Sequence, residues 1–346
     1  MLTFKTQDTS EWIKQMYYKF LLLLLWTPFV SCSEEKPIPI TEAKLITELY
    51  ELNDSILFGQ IGDIELHDEF MFFSDKNSNR VFVLDSNFQF LRTIGEAGSG
   101  PNEIKGIKNI AMADSTLFVQ DLWGGKLLNY SLNGDLLKTI NIKLNSGDFD
   151  VLGSDIIGKV IGQHELPFTK YSITNSKRDF GKPLIKEDGF PDMHVRVIEQ
   201  KIVTANLLNR LNVDIYDDQG ILLGENSLDH IPVVQDWLAG LDIEGKINAS
   251  TANTAYAQTT FYDIDIVDNH IFFSLPPLGS KNGVKKNFII EAILDKNNKI
   301  TVTRKIFFEG YFAFNCFSIT ADLKYLIGFN SSNGSIVKYH ISSKEN

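Results

Sequence analysis

The side chains best suited to acid–base or metal chemistry are scattered along the chain. The six histidines show neither the H-x-H nor the H-x-x-x-H spacing of a local metal motif. His164 stands beside Glu165 in a predicted loop, and this pair is the best candidate for general acid–base work. Neither a G-x-S-x-G nucleophile elbow nor a Walker loop occurs. The sequence therefore favours a binding protein over an enzyme.

A repeat indicates the elements that must position these side chains. Residues Phe70–Ile94 align without a gap with Thr116–Ile140, at an offset of 46 residues. Each segment holds three short apolar or alternating runs separated by turn residues, which predict strands. A fourth run precedes each triplet, at Gly62–His67 and at Ile107–Ala113. Four antiparallel strands in a unit of about 45 residues are typical of a β-propeller blade.

Weaker copies of the unit follow, at about 148–187, 194–228 and 261–308, and from Phe312 onwards. They predict an all-β, six-bladed propeller. Seven blades are the alternative, because residues 229–260 match no strand pattern. The last unit has three strands, and we expect the segment Leu45–Leu52 to supply the fourth and close the ring, which removes an exposed sheet edge.

Two motifs in the first blades carry a family resemblance. Asp75-x-x-x-x-Arg80 is followed by VFVLD, and the stretch GEAGSGPNEI begins at Gly95. This pattern resembles an NHL-type repeat, and together with the amino terminus it is similar to the TolB-like six-bladed propeller lipoproteins of Bacteroidetes. The resemblance covers blades one and two and fades afterwards. It implies a fold and a location more than an activity.

The amino terminus reads as an export signal. Lys19 precedes the apolar run Phe20–Trp26, which has signal-peptide length, and a small residue precedes Cys32 as in lipoprotein signals. We expect a signal peptide over 1–31 with a true start at Met16, a lipidated linker over 32–43 and a single propeller over 44–346. Lipidation of Cys32 would anchor the protein in the outer membrane, and the following Ser-Glu-Glu favours the cell surface. A cytoplasmic protein with a chance apolar amino terminus is the alternative.

Composition narrows the partners. The formal net charge is -11, from 33 Lys+Arg against 44 Asp+Glu, which argues against nucleic acid as a partner. The only cysteines are Cys32 and Cys316, which excludes a disulfide framework within the chain. Cys316 lies in an apolar run, so we expect it to be buried and inert.

Binding residues are expected on the propeller face formed by the loops that enter each inner strand. The expected partner is a glycan, a peptide or an envelope protein, and no cofactor is predicted. The candidates on this face are Glu96, Glu103, Trp123, His164, Glu165 and Trp237.

The alternative function is a metal-assisted hydrolase, lactonase or lyase. Inner strands from different blades could together hold a calcium or zinc ion in the central channel. Its candidate ligands are Glu65, Asp150, His194, Asp263 and Asn315.

Overall fold

A computed structural model describes the chain between residues 37 and 342. The internal residues outside the description are 53–55, 143, 145–147, 160–165, 173–175, 184–192, 207–210, 233, 236–262, 275–286 and 310–313. The expected signal peptide, its start at Met16 and the lipidation site Cys32 lie outside the described residues. In the part that is described, no helix is long and apolar enough to cross a membrane.

Strands make up nearly all of the regular structure. The leading strands are β1 (Ile40–Leu49), β2 (Glu51–Leu52) and β3 (Ile56–Leu57). Blade 1 holds β4 (Ile61–His67), β5 (Phe70–Asp75), β6 (Arg80–Asp85) and β7 (Phe90–Ile94), and blade 2 holds β8 (Ile107–Ala113), β9 (Thr116–Asp121), β10 (Lys126–Ser131) and β11 (Leu136–Ile140). Blade 3 holds β12 (Phe149–Leu152), β13 (Asp155–Lys159), β14 (Phe168–Tyr171) and β15 (Lys177–Phe180), and blade 4 holds β16 (Met193–Ile198), β17 (Lys201–Asn206), β18 (Asn212–Asp217) and β19 (Leu222–Ser227). Blade 5 holds β20 (Asp263–Val267), β21 (His270–Ser274), β22 (Asn287–Leu294) and β23 (Ile300–Phe308), and blade 6 begins with β24 (Phe314–Ile319), β25 (Tyr325–Asn330) and β26 (Ser335–His340).

The first strand of each blade is the inner one. The strands β4, β8, β12, β16, β20 and β24 each contact the next, and β24 contacts β4. Within a blade, consecutive strands pair antiparallel from the inner strand outwards. The prediction of a six-bladed propeller with four antiparallel strands per blade is therefore confirmed.

Strand β1 closes the ring. Residues Lys44–Leu49 pair antiparallel with β26 and complete blade 6, as the sequence predicts. Residues Ile40–Ala43 pair in parallel with Lys305–Phe308 of β23, the outer strand of blade 5. The sheet therefore begins at Ile40 and not at the expected boundary of 44, because β1 pairs with two blades.

The core lies between blades. Successive side chains of a strand point to opposite faces of its sheet, so Phe73 packs with Cys316 and Phe329 of blade 6 whereas Phe72 packs with residues of blade 2. Cys316 is buried, as predicted, and burial raises the pKa of its thiol. Because each blade covers both neighbours, the inner strands are held at fixed spacing around the channel.

Candidate functional site

Each inner strand, or the residue before it, carries one tripeptide in the same register. Its middle residue is apolar and buried between blades, and most of its flanking residues are polar. Residues two apart on a strand share a face, so the flanking side chains converge on the channel. The tripeptides are Asp63-Ile64-Glu65, Asn109-Ile110-Ala111, Asp148-Phe149-Asp150, His194-Val195-Arg196, Asp263-Ile264-Asp265 and Cys316-Phe317-Ser318. We call their carboxyl, imidazole and guanidinium groups the channel cluster.

Four carboxylates of the channel cluster join adjacent blades. The backbone N–H of Ile110 donates to Asp63 over 3.1 Å, and that of Val197 donates to Asp150 over 2.6 Å. In the same way, Phe317 donates to Asp263 over 2.9 Å and Ile319 to Asp265 over 2.6 Å. The other oxygen of each carboxylate accepts the N–H of the residue that follows it. Each of these carboxylates therefore bridges two blades by accepting a backbone N–H from both.

Arg196 is the cation of the channel cluster. Its guanidinium pairs with Asp148 of blade 3 and, over 3.2 Å, with Asp263 of blade 5. Asp148 also contacts Nδ1 of His194 over 2.9 Å and accepts from the Asn109 amide over 3.0 Å. Burial alone would raise the pKa of Asp148, but Arg196 and His194 hold it below its usual range. The guanidinium thus links three consecutive blades through ion pairs.

The other channel carboxyls have less positive charge near them than Asp148 has. Burial raises the pKa of Asp63 to about 7 and that of Asp150 to about 6, although the nearby positive charge of Arg196 lowers both. Burial also raises the pKa of Asp263 and of Asp265 above the usual range. One guanidinium does not neutralise six carboxylates, so the channel holds excess negative charge.

Glu65 differs from the other five carboxylates. Among the described residues it alone of the six accepts no hydrogen bond and forms no ion pair. The pKa of Glu65 is raised well above the usual range, mainly because the carboxyl is desolvated and secondly because the negative charge of Asp63 is near. The side chain lines a cavity of about 420 Å³ that Asp265 and Ser318 also line.

This cavity lies where the inner strands of blades 5, 6 and 1 turn into their second strands, which we call the hairpin end of the channel. A second cavity of about 740 Å³ lies at the same end between blades 4 and 5. Ile266 and Asp268 line both cavities, so the two adjoin. The opposite end, where loops enter the inner strands, is the loop end.

The loop end contains the predicted binding segment Gly95–Gly106, which folds against the turn 122–125. Asp121 is buried, and one of its oxygens accepts the N–H groups of Lys105, Gly106 and Gly124 over 3.2, 2.9 and 3.0 Å. Lys126 is also buried; it donates to the carbonyls of Gly100 and Pro101 over 2.7 and 2.9 Å. The repeated Asp-x-x-x-x-Arg/Lys spacing would suggest a surface ion pair, but the loop covers Lys126 and the pair with Asp121 is buried.

The candidates at the loop end have different environments. Glu103 accepts the N–H of Gly100 over 2.7 Å and so holds its own loop together. Glu96 is exposed, and the Trp123 side chain is 74% exposed with its ring edge against Gly106. His164, Glu165 and Trp237 lie outside the described residues.

Four of the candidate metal ligands, Glu65, Asp150, His194 and Asp263, belong to the channel cluster. No group of three or more His, Cys, Asp or Glu side chains within the described part of the chain is placed to hold a metal ion. Asn315 lies in β24, where the register shifts between Phe314 and Phe317, and its side chain lies outside the description. The hydrogen bonds from Phe317 and Ile319 place Cys316 and Ser318 in register with the other tripeptides.

Sequence reasoning missed Asp63, Asp148, Arg196 and Asp265. The signal that would have found them is the alignment of the six inner-strand tripeptides at the level of single residues. In that alignment one basic residue, Arg196, stands among six acidic ones, and this pattern indicates a central ion pair.

Comparison with known proteins supports the fold. A family model described as a 6-bladed beta-propeller, DUF5128, matches residues 49–230. A Bacteroides fragilis NCTC 9343 protein that is described as exported is 15% identical, with a TM-score of 0.54 over 88% of this chain and 100% of that one. A DUF4221 family member from Bacteroides vulgatus is 11% identical, with a TM-score of 0.55 over 87% of this chain and 98% of that one. A streptogramin B lyase is 10% identical, with a TM-score of 0.51 over 86% of this chain and 98% of that one. No curated protein matches the sequence significantly, and identities this low support a shared fold alone.

Proposed function

The chain belongs to the 6-bladed beta-propeller family DUF5128, and from this premise we propose that it is an envelope-located binding module whose ligand enters the hairpin end of the channel. The ligand site is the cavity beside Glu65, between blades 5, 6 and 1. A ring that presents a concave site at its channel mouth is suited to hold a ligand.

The observation that carries this proposal is how the channel carboxylates are used. Asp63, Asp150, Asp263 and Asp265 each accept two backbone N–H groups, and Asp148 is paired with Arg196. A catalytic acid or base must be free to exchange a proton with a substrate. Carboxylates engaged in this way are suited to holding blades together. They leave Glu65 as the one unengaged acid among the described channel carboxylates, and a metal ion needs several free ligands, so the metal-assisted hydrolase, lactonase or lyase has less support.

The envelope location rests on the sequence. The apolar run before Cys32 has signal-peptide length, and the similar Bacteroides fragilis protein is described as exported. A lipid on Cys32 would hold the propeller at the outer membrane, where a glycan, a peptide or an envelope protein could reach its channel mouth.

A blocking variant tests the site. Ala321 lines the Glu65 cavity at an exposed turn, so Ala321→Trp fills the cavity mouth. The control is Ser99→Trp, at an exposed position of the loop end. Peptide and glycan arrays probed with the three purified proteins should give signals that Ala321→Trp loses and Ser99→Trp keeps. Signals that survive in Ala321→Trp and disappear in Ser99→Trp would move the site to the loop end.

A second experiment tests the location. Cys32→Ser should abolish incorporation of labelled fatty acid and release the protein from the membrane fraction of its native host. Unchanged labelling in Cys32→Ser would contradict the anchor and leave the cavity proposal untouched.

A further inference from the structure

The Glu65 cavity contains a carboxyl that no described residue pairs with. Burial and the nearby carboxylates of Asp63, Asp150 and Asp265 all oppose ionisation of Glu65. Arg196, whose positive charge lowers the pKa of Glu65, forms its ion pairs with Asp148 and Asp263 instead. Glu65 is half-buried, and its carboxyl faces the cavity without a partner among the described residues, so its place at the cavity wall points to a group that enters from outside.

The rest of the cavity extends this negative character. Asp68, Glu69, Asp265 and Asp268 line it as well. Among its lining residues the one cation is Lys338, whose Nζ lies 4.6 Å from the centre of the Tyr325 ring and 5.9 Å from that of Phe88. Lys338 is thus held by aromatic faces, and the structure shows no ion pair between it and the acidic groups of the cavity. An anionic ligand would meet five carboxyls here.

The walls are apolar over part of their length. Leu66, Met71, Ile266 and Ile319 line the cavity between the rim and the carboxyls. An alkyl chain can lie along such a wall while its charged head reaches a carboxylate. The combination of an apolar wall and an uncompensated carboxyl matches the two halves of a lysine or arginine side chain.

We propose that Glu65 is the anionic centre of a subsite for an alkylammonium or guanidinium group, presented by a lysine or arginine side chain of a peptide ligand. This inference rests on the proposed function and names the ligand class of the same cavity. The ammonium or guanidinium donates to Glu65, and its stem packs against Ile266 and Ile319.

The geometry also links binding to protons. A cation beside Glu65 stabilises its ionised form, so binding releases protons that the empty site retains. Affinity should therefore rise as pH rises through the raised titration range of Glu65. The charged groups that face Glu65 are Asp63, Asp150, Arg196 and Asp265 within the channel, and Asp68, Glu69, Asp268 and Lys338 around the cavity.

The test is calorimetric titration of the full mature chain with three short peptides. The first is acetyl-Gly-Lys-Gly-amide, the second has norleucine in place of lysine, and the third has arginine. Spermidine is a fourth titrant that carries ammonium groups without a peptide backbone. The protein variants are Glu65→Gln and, as the matched control outside the cavity, Glu309→Gln at an exposed position after the outer strand of blade 5.

The lysine and arginine peptides should bind the native chain, and Glu65→Gln should weaken them by about tenfold or more because a charge-assisted bond is lost. Glu309→Gln should change affinity by less than about twofold, since it lies outside the cavity and exposed charges contribute little. Tighter binding of spermidine than of the lysine peptide would assign the subsite to free polyamines and overturn the peptide assignment. Equal binding of the norleucine peptide would overturn the cation class while leaving the cavity as a binding site. Failure of all four titrants together with array signals that Ala321→Trp abolishes would sink this inference and keep the proposed function.

Discussion

Carboxylates at the two ends of the channel differ in how many partners the chain provides for them. At the loop end, Asp121 accepts three backbone N–H groups, and Lys126 pairs with it over 3.6 Å. At the hairpin end, Glu65 lacks any comparable partner among the described residues and lines an open cavity. A carboxylate whose charge is balanced by backbone donors and a cation of the chain stabilises the fold, whereas one without such partners beside a cavity is a candidate for ligand binding. The comparison therefore separates structural acids from functional ones.

The largest effect should follow from removing the central cation. Arg196→Met leaves Asp148 and Asp263 buried without their ion pairs, so we expect the free energy of unfolding to fall by about 3–5 kcal/mol in chemical denaturation. Lys338→Met, which removes a cation held over aromatic rings, should cost less than about 1 kcal/mol. A similar small loss in both variants would show that Arg196 does not hold the channel together.

The loop end offers the next test. Asp121→Ala leaves the N–H groups of Lys105, Gly106 and Gly124 without their acceptor, and we expect a loss of about 2–4 kcal/mol in unfolding free energy. Among the described residues, the repeat-equivalent Asp75 accepts side-chain hydrogen bonds only from the N–H groups of Asn77 and Ser78 in its own turn, so Asp75→Ala should cost about 1 kcal/mol. Equal losses at the two positions would mean that the loop contributes nothing to the difference.

The pH dependence of stability should reflect the channel charge. The pKa of Asp63 is raised to about 7 and that of Asp150 to about 6, whereas in the unfolded chain both titrate near their ordinary values. The folded state therefore keeps protons that the unfolded state releases, and the free energy of unfolding should rise by about 1–2 kcal/mol as pH falls from about 8 to 5. Asp148, whose pKa is lowered, acts in the opposite direction and reduces stability only at lower pH.

Denaturation midpoints across this range measure the effect, and Asp63→Asn should flatten the part near neutral pH. Constant or falling stability between about pH 8 and pH 6 would contradict the excess charge that we assign to the channel.

Much of the fold was predictable because the repeated segments show the alternating apolar pattern of β-strands. The 46-residue offset between Phe70–Ile94 and Thr116–Ile140 predicted the blades, and the unpaired segment from Leu45 predicted the closing strand. The parallel pairing of Ile40–Ala43 was not predictable, because a strand that is shared by two blades leaves no periodic signal of its own.

The site was only partly predictable. Inner-strand membership pointed to Glu65, Asp150, His194 and Asp263, but which acid is satisfied depends on backbone donors of the next blade. The irregular register of β24 also breaks the simple alternation that led to Asn315. Both cavities among the described residues lie at the hairpin end. Their position depends on how neighbouring blades pack, so the sequence of a single segment does not predict it.

The central claim is that Glu65 binds a ligand whereas the neighbouring carboxylates stabilise the fold. The most direct test compares the free energies of unfolding of Glu65→Gln, Asp265→Asn and the native chain at about pH 8. Glu65→Gln removes a half-buried carboxyl whose ionisation the surrounding carboxylates oppose, and it should raise the free energy of unfolding by about 1 kcal/mol. Asp265→Asn places an amide NH₂ against a backbone N–H, of Ile266 or Ile319, and should lower it by about 1–2 kcal/mol. A loss in Glu65→Gln as large as that in Asp265→Asn would show that both carboxyls are structural and would contradict the account.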